Sequence, residues 1–171
     1  MVRPSLRLSS SVSSSASKAA TQFLERAAKN GVLVQEQLFD GNQLQKLSLA
    51  LNRSLMYKSL NIYSRPPPNG TPLPPGYHLV YFTPNGCEQD LGIDGTDRTV
   101  NPPHPFTRRM WAGGSVQWAR DNRLRIGQAV RETTEILSAQ PKTTRGGEPM
   151  IVVDVKKTFE NEKGLAVTEN R

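Results

Sequence analysis

The chain has 171 residues, 36% of them apolar and 22% charged, which is enough for one domain with a modest hydrophobic interior and no run long enough to span a membrane as a helix. A single cysteine, Cys87, excludes an internal disulfide framework and a multi-cysteine zinc site, and two histidines, His78 and His104, argue against a His-rich metal centre. The formal net charge is +7, but residues 1–30 carry +4 of it, so the remaining body is only mildly basic and a nucleic-acid reading is weakened.

Residues 1–24 contain no Asp or Glu, hold Arg3, Arg7 and Lys18, and place eight serines between Ser5 and Ser17. Basic, serine-rich and acid-free is the composition of a mitochondrial transit peptide. A secretory signal would need an apolar centre, and Leu6, Leu8 and Val12 scattered among serines do not make one. The expectation is a protein of the mitochondrial matrix, with residues 1–30 a transit or disordered segment outside the fold and a cut between residues 16 and 32. A disordered N-terminus carrying no address is the alternative.

Leu44, Leu47, Leu51 and Leu55 recur at helical spacing, and Asp40 followed by Gln43 has the form of a capping box, so a helix is expected over about 42–56. Six of the 13 prolines then fall between Pro66 and Pro75, with Gly70 and Gly76. Proline removes amide donors and fixes φ, so this stretch reads as a stiff extended connector, and residues 31–76 as helix plus connector. After Gly76 the pattern turns to alternation. His78–Phe82 reads as a short strand. Residues 108–118 read as a longer one, with Met110, Ala112, Gly114, Val116 and Trp118 on one face and small Ala112 and Gly114 letting a helix, or alternatively a ligand, approach the sheet closely. Leu124, Ile126, Val130 and Ile136 share a parity, as do Ile151, Val153, Val155 and Phe159, and a last strand fits 165–169. Turns at 143–147 and 162–164 fall at hairpin spacing. A helix followed by such strands predicts an α+β fold with an antiparallel sheet covered on one face.

Three strings carry a family resemblance. They are Tyr77-His78-Leu79-Val80-Tyr81-Phe82-Thr83-Pro84, then Leu91-Gly92-Ile93-Asp94-Gly95-Thr96-Asp97, then Asn101-Pro102-Pro103-His104 running into Pro105-Phe106-Thr107-Arg108-Arg109-Met110-Trp111-Ala112-Gly113-Gly114. Leu73-Pro74-Pro75-Gly76, Gly127, Thr134 and Glu169-x-Arg171 agree with them. From about residue 40 to 171 the chain resembles the N-terminal half of the mitochondrial type 2 3-hydroxyacyl-thioester dehydratases, hydratase-2-like proteins similar to mesaconyl- and itaconyl-CoA hydratases. The resemblance implies a hot-dog fold over 77–171, a sheet wrapped round a helix, usually paired with a second such unit. It implies a hydro-lyase without cofactor acting on thioesters of acyl carrier protein or coenzyme A, in mitochondrial fatty-acid synthesis. Within it, Arg108, Arg109, Trp111, Gly113 and Gly114 are expected to shape the acyl pocket.

Dehydration of a 3-hydroxyacyl thioester needs a base for the proton beside the carbonyl, an acid for the leaving oxygen and donors for the developing enolate. The family supplies a His preceded five positions earlier by Asp or Asn, in a motif of its C-terminal half. Here His104 is the one weak candidate, and the residue five before it is Thr99. His78 reads as a structural strand residue. The expectation is therefore the non-catalytic half of the enzyme, with the catalytic motif beyond Arg171. A non-catalytic module binding an acyl carrier or partner subunit, and a short-chain enoyl- or mesaconyl-CoA-type hydratase, are the alternatives.

Arg98, Arg108, Arg109, Arg120, Arg123, Arg125 and Arg131 form a basic run interrupted by one acid, Asp121. It would attract a phosphate-bearing arm or an acidic carrier protein, unless its members pair with Glu132, Glu135 or the sheet rim. Single-stranded RNA binding through Trp111 and Trp118 is disfavoured, because Trp118 sits on the apolar parity and no ribonucleoprotein motif is present. Gly113-Gly114 lacks nucleotide-loop spacing, Ser115 lacks a nucleophile-elbow context, and nothing near Cys87 would activate its thiol.

Overall fold

The computed structural model describes residues 8–57 and 59–171, with side chains from residue 15 onward. A helix, α1 (Leu8–Asn30), leads into strand β1 (Leu33–Leu38) and helix α2 (Gly41–Ala50). A two-stranded ribbon follows, β2 (Leu55–Met56) with β3 (Leu60–Asn61). After a long irregular stretch come β4 (Ser115–Trp118), β5 (Ala129–Thr143), β6 (Pro149–Asn161) and β7 (Gly164–Asn170). The main sheet runs in the order β1-β5-β6-β7-β4, and every pair of neighbours is antiparallel.

The inner face of the sheet is set by the period-two pattern. Val130, Glu132, Thr134 and Ile136 on β5 pair with or flank Phe159, Lys157 and Val155 on β6. The register shifts between Ile136 and Ser138, so Leu137 is an extra residue and Ala139, of opposite parity, returns to the face of Ile136 opposite Val153. A bulge of this kind keeps one long strand apolar on one side despite an odd insertion. Two apolar clusters therefore share that face. Under α2, Leu44 packs with Phe39, Ile62, Val130, Phe159 and Val167; under α1, Ala20 and Phe23 pack with Ala139, Ile136, Ile151 and Val153. An antiparallel five-stranded sheet with helices laid on its inner face is the α+β hot-dog fold expected from the residues. Among the described residues no helix is long and apolar enough to cross a membrane.

Several local expectations are corrected. Helix α2 stops at Ala50 rather than 56, because Asn52 takes a left-handed φ of 56° and the amide of Arg53 turns back to the Ser48 carbonyl at 2.8 Å. Leu51 and Leu55 consequently lie outside it and are exposed. Asp40 does cap it, accepting from the Gln43 amide at 2.9 Å, but the Gln43 side chain reaches the Val80 carbonyl instead of closing the box. The run 77–82 is a 3-10 turn, Tyr77–Val80, entered through Gly76 at φ +84°. Its buried residues Tyr77, His78 and Tyr81 follow helical rather than alternating spacing. Only 115–118 of the expected strand 108–118 pairs, with β7; Gly113 at φ +144° breaks the extended run before it. As an edge strand β4 leaves Trp118 48% exposed rather than in the core.

Residues 8–30, expected outside the fold, form α1 with Ala16, Ala19, Ala20 and Phe23 buried, and the expected cut between 16 and 32 overlaps the helix as far as Asn30. Residues 31–76 contribute β1 and α2 to the same body, and β1 was not legible as a strand. The proline-rich connector is tied down as well. The Leu73 amide donates to the Leu124 carbonyl and the Ile126 amide to the Thr71 carbonyl, each at 2.9 Å. Gly127 permits this strap to approach, because a Cβ there would meet Asn69 at 2.7 Å.

Candidate functional site

Helix α2, the β2–β3 ribbon, the proline strap, the 3-10 turn and β4 enclose a cavity of about 640 Å³. Its walls are largely apolar, with Met56, Leu73, Leu124, Ala166 and Val167 among them, and Trp118 forms one side. The polar groups are few and placed at two levels. Ser48, Tyr77 and His78 lie at the inner end, while Arg53, Arg120 and Arg123 also line it and are exposed. An apolar chamber with convergent polar groups is the usual form of a small-molecule site.

His78 is 2% exposed. Its Nε2 lies 2.9 Å from Glu169 Oε1, and its ring meets Phe159 edge-on at 4.7 Å between centroids. The other carboxylate oxygen of Glu169 accepts from Arg171 Nε at 2.9 Å and Nη2 at 2.5 Å. Burial by itself would raise the Glu169 pKa, but the hydrogen bond from His78 and the neighbouring Arg171 guanidinium outweigh it and hold the carboxyl below its ordinary range. With Nε2 engaged by a carboxylate, the imidazole is fixed in orientation and its neutral form carries the proton on Nε2. The remaining nitrogen, Nδ1, makes no hydrogen bond among the described residues. Such a ring can accept a proton at Nδ1 while Glu169 stabilises the imidazolium that results.

A second, partly buried pair sits beside the first on the same face. Lys157 Nζ lies 2.8 Å from Glu132 Oε1, which also accepts from Thr134 Oγ1 at 3.0 Å, and Lys157 is the register partner of Glu169 across β6 and β7. Glu132 is thus met by a lysine, and Arg131 pairs instead with Glu36 on β1 at 2.7 Å. Among the described residues no group of three His, Cys, Asp or Glu side chains is placed to hold a metal ion.

The residues singled out from sequence lie elsewhere. His104, Arg108, Arg109, Trp111, Gly113 and Gly114 are all exposed on the irregular stretch before β4, and none of them lines the cavity. Trp111 folds over Gly114, where a Cβ would meet its ring at 3.0 Å and the Asn170 carbonyl at 2.6 Å. The stretch is anchored at its start, where Arg26 of α1 donates to the Asn101 carbonyl at 2.6 Å. Thr99, five positions before His104, bonds to Asp97.

The sequence model of the hydroxyacyl-thioester dehydratase type 2 family matches residues 76–171, more than half of the chain. The chain belongs to that family. The match begins at the turn that carries His78 and ends at Arg171, so it includes both partners of the buried His–Glu pair and the arginine behind them. The chain is also similar to the mesaconyl-C(4)-CoA hydratase of Chloroflexus aurantiacus, at 33% identity over 112 residues, which is 61% of this chain and 39% of that relative. The matched stretch thus spans about two fifths of the length of the hydratase.

The His78–Glu169 pair was missed because its members are 91 positions apart and no spacing rule joins them. One signal was available. Glu169 shares the parity of Val167 on a strand whose inner face is apolar, and a carboxylate at an inward position calls for a buried partner.

Proposed function

We propose that this chain is a thioester-binding hot-dog unit that interconverts 3-hydroxyacyl and enoyl thioesters, with the acyl group in the 640 Å³ cavity and His78 as its acid–base group. The observation that carries the reading is the placement of a carboxylate-held imidazole on the wall of an apolar chamber, within the span matched by a dehydratase family. In the dehydration direction His78 Nδ1 takes the C2 proton. The C2–H electron pair forms the C2=C3 double bond, and the C3–O bond breaks to release the hydroxyl as water after protonation. Hydration is the reverse. Tyr77, whose hydroxyl lies 3.4 Å from Ser48 Oγ, lines the same cavity and offers a hydroxyl donor for the oxygen that leaves or arrives.

A second reading, a unit that binds the thioester and leaves the chemistry to another, draws on how completely the pair is enclosed, with Glu169 saturated by His78 and Arg171. One experiment separates the two. The purified chain is mixed with an enoyl thioester and loss of the enoyl absorbance is followed. The first reading expects turnover that falls at least about 100-fold in His78→Asn, measured at a temperature where circular dichroism shows the variant folded. Thioester binding without turnover by the native chain would leave the second.

The mitochondrial matrix belongs to the same proposal, supported by the acid-free, serine-rich composition of residues 1–24, and so does a role in fatty-acid synthesis, supported by membership in the dehydratase family. So does a partner hot-dog unit. It is supported by the unpaired edge of β4, where Val116 and Trp118 are exposed beside Met110 and Trp111.

A further inference from the structure

Beside the apolar cavity lies a smaller cleft of about 280 Å³ with a different character. Arg120, Arg123, Arg125 and Lys163 line it against one acid, Asp121. Among the described residues Arg120, Arg123 and Lys163 form no ion pair, and Arg125 spends one nitrogen on the Gly70 carbonyl at 2.8 Å. Four exposed cations around one small volume, with one acid among them, make a region of positive potential that attracts an anion.

The cleft is also built rather than incidental. Asn122 Nδ2 donates to the Gly164 carbonyl at 2.9 Å, and Asn161 Nδ2 donates back to Asn122 Oδ1 at 2.8 Å. Gln128 Oε1 accepts from the Arg125 amide at 2.7 Å, and Gln128 Nε2 donates to Glu162 Oε1 at 2.7 Å. These bonds pin the 120–128 loop to the β6–β7 turn that carries Lys163, so the cations converge before any ligand arrives. Arg120, Asn122 and Arg123 line both the cleft and the cavity, so the polar and apolar compartments are contiguous.

We propose that this cleft is a phosphate subsite that seats the phosphorylated arm of an acyl thioester whose acyl group occupies the neighbouring cavity, an inference that rests on the thioester reading above. The ligand chemistry follows from the juxtaposition. The ligand must join an apolar chain to a phosphate through a linker, which a phosphopantetheine thioester does. Arginine forks match phosphate oxygens in pairs, whereas a lone carboxylate would use only part of the donor set. The same arm can come from free coenzyme A or from a carrier protein.

The test measures binding of four probes to the full chain and to the variant Arg125→Gln/Lys163→Gln, at two exposed residues that line the cleft and not the cavity, whose thermal stability is checked. The probes are an acyl-pantetheine without phosphate, the acyl-phosphopantetheine, the acyl-CoA and the acyl form of a carrier protein. The proposal expects the phosphate to tighten binding to the native chain, the double variant to lose about tenfold or more in affinity for the phosphorylated probes, and acyl-pantetheine to bind both proteins alike. Relative affinities of acyl-CoA and the loaded carrier protein identify the source of the arm. Equal affinity of native and variant chains for acyl-phosphopantetheine overturns the subsite and leaves the thioester reading standing. Binding of CoA itself that weakens in the variant, with no contribution from any acyl group, keeps the subsite and overturns the acyl cavity. Binding of a carrier protein lacking its arm as tightly as the loaded form would mean that the cations recognise an acidic protein surface, and would also overturn the proposal.

Discussion

Glu169 is 1% exposed, yet its carboxyl is held below the ordinary value of 4.5 by His78 and Arg171 against the opposing effect of burial. The sign of its contribution to stability follows from linkage. The unfolded chain binds a proton at this group more readily than the folded one, so the stabilisation is fully present above about pH 4.5 and is lost as pH falls through the lower folded value. The urea midpoint of the native chain should therefore fall as pH drops below that point, and the slope should flatten in Glu169→Gln. Removing the carboxylate altogether strands two donors, and Glu169→Ala should cost about 3 kcal/mol in chemical denaturation at neutral pH, the cost of breaking a buried pair. A smaller residue effect belongs to Asp40. Its side chain satisfies one orphan amide of α2, and Asp40→Ala should lower stability by about 1 kcal/mol in the same measurement.

At the scale of elements, α1 changes the meaning of the N-terminal segment. Its composition is the one expected of an address, and its residues Ala20 and Phe23 seal an apolar cluster on β5 and β6. Phe23 is almost wholly buried, so Phe23→Ala should destabilise the chain by about 3 kcal/mol, read from the thermal or urea transition. A chain beginning at residue 25 should bind an environment-sensitive apolar dye more strongly than the full chain, because Ile136, Ala139, Ile151 and Val153 lose their cover. Unchanged dye binding would show that α1 is dispensable to that face. Sequence periodicity found the long strands β5 and β6 because each carries many inward positions. It missed β1, whose Leu33–Leu38 run mixes Gln and Glu with its leucines and valine, since the strand is defined by its pairing with Ala129–Thr134. The reading of 108–118 as one strand failed for the related reason that alternation cannot see Gly113 turning away from the sheet.

Over the whole molecule, the sheet order leaves β1 and β4 as edges. On β4 all four residues are exposed, and Met110 on the approach to it is 89% exposed. A second hot-dog unit pairing along that edge would cover these side chains, as proposed above. Val116→Lys should then weaken self-association in sedimentation measurements without shifting the thermal midpoint by more than a degree or two, since surface substitutions away from packed features cost little. A chain that sediments as a monomer at all concentrations would remove self-pairing from the proposal.

The amino-acid sequence by itself determined the α+β class, the two long hairpin strands, the cap of α2 and membership in a thioester dehydratase family, because each depends on local periodicity, local turn chemistry or contiguous strings. It also placed arginines on the stretch before β5 where the cationic cleft is found. Only the tertiary structure decided where the candidate chemistry lies. It brings His78, Glu169 and Arg171 together through the 3-10 turn and β7, and leaves His104 and the Arg108–Gly114 string exposed and outside the cavity. The physical reason is that a buried hydrogen-bonded polar pair depends on the enclosure around it, and that enclosure is assembled from segments whose separation along the chain carries no trace of their contact.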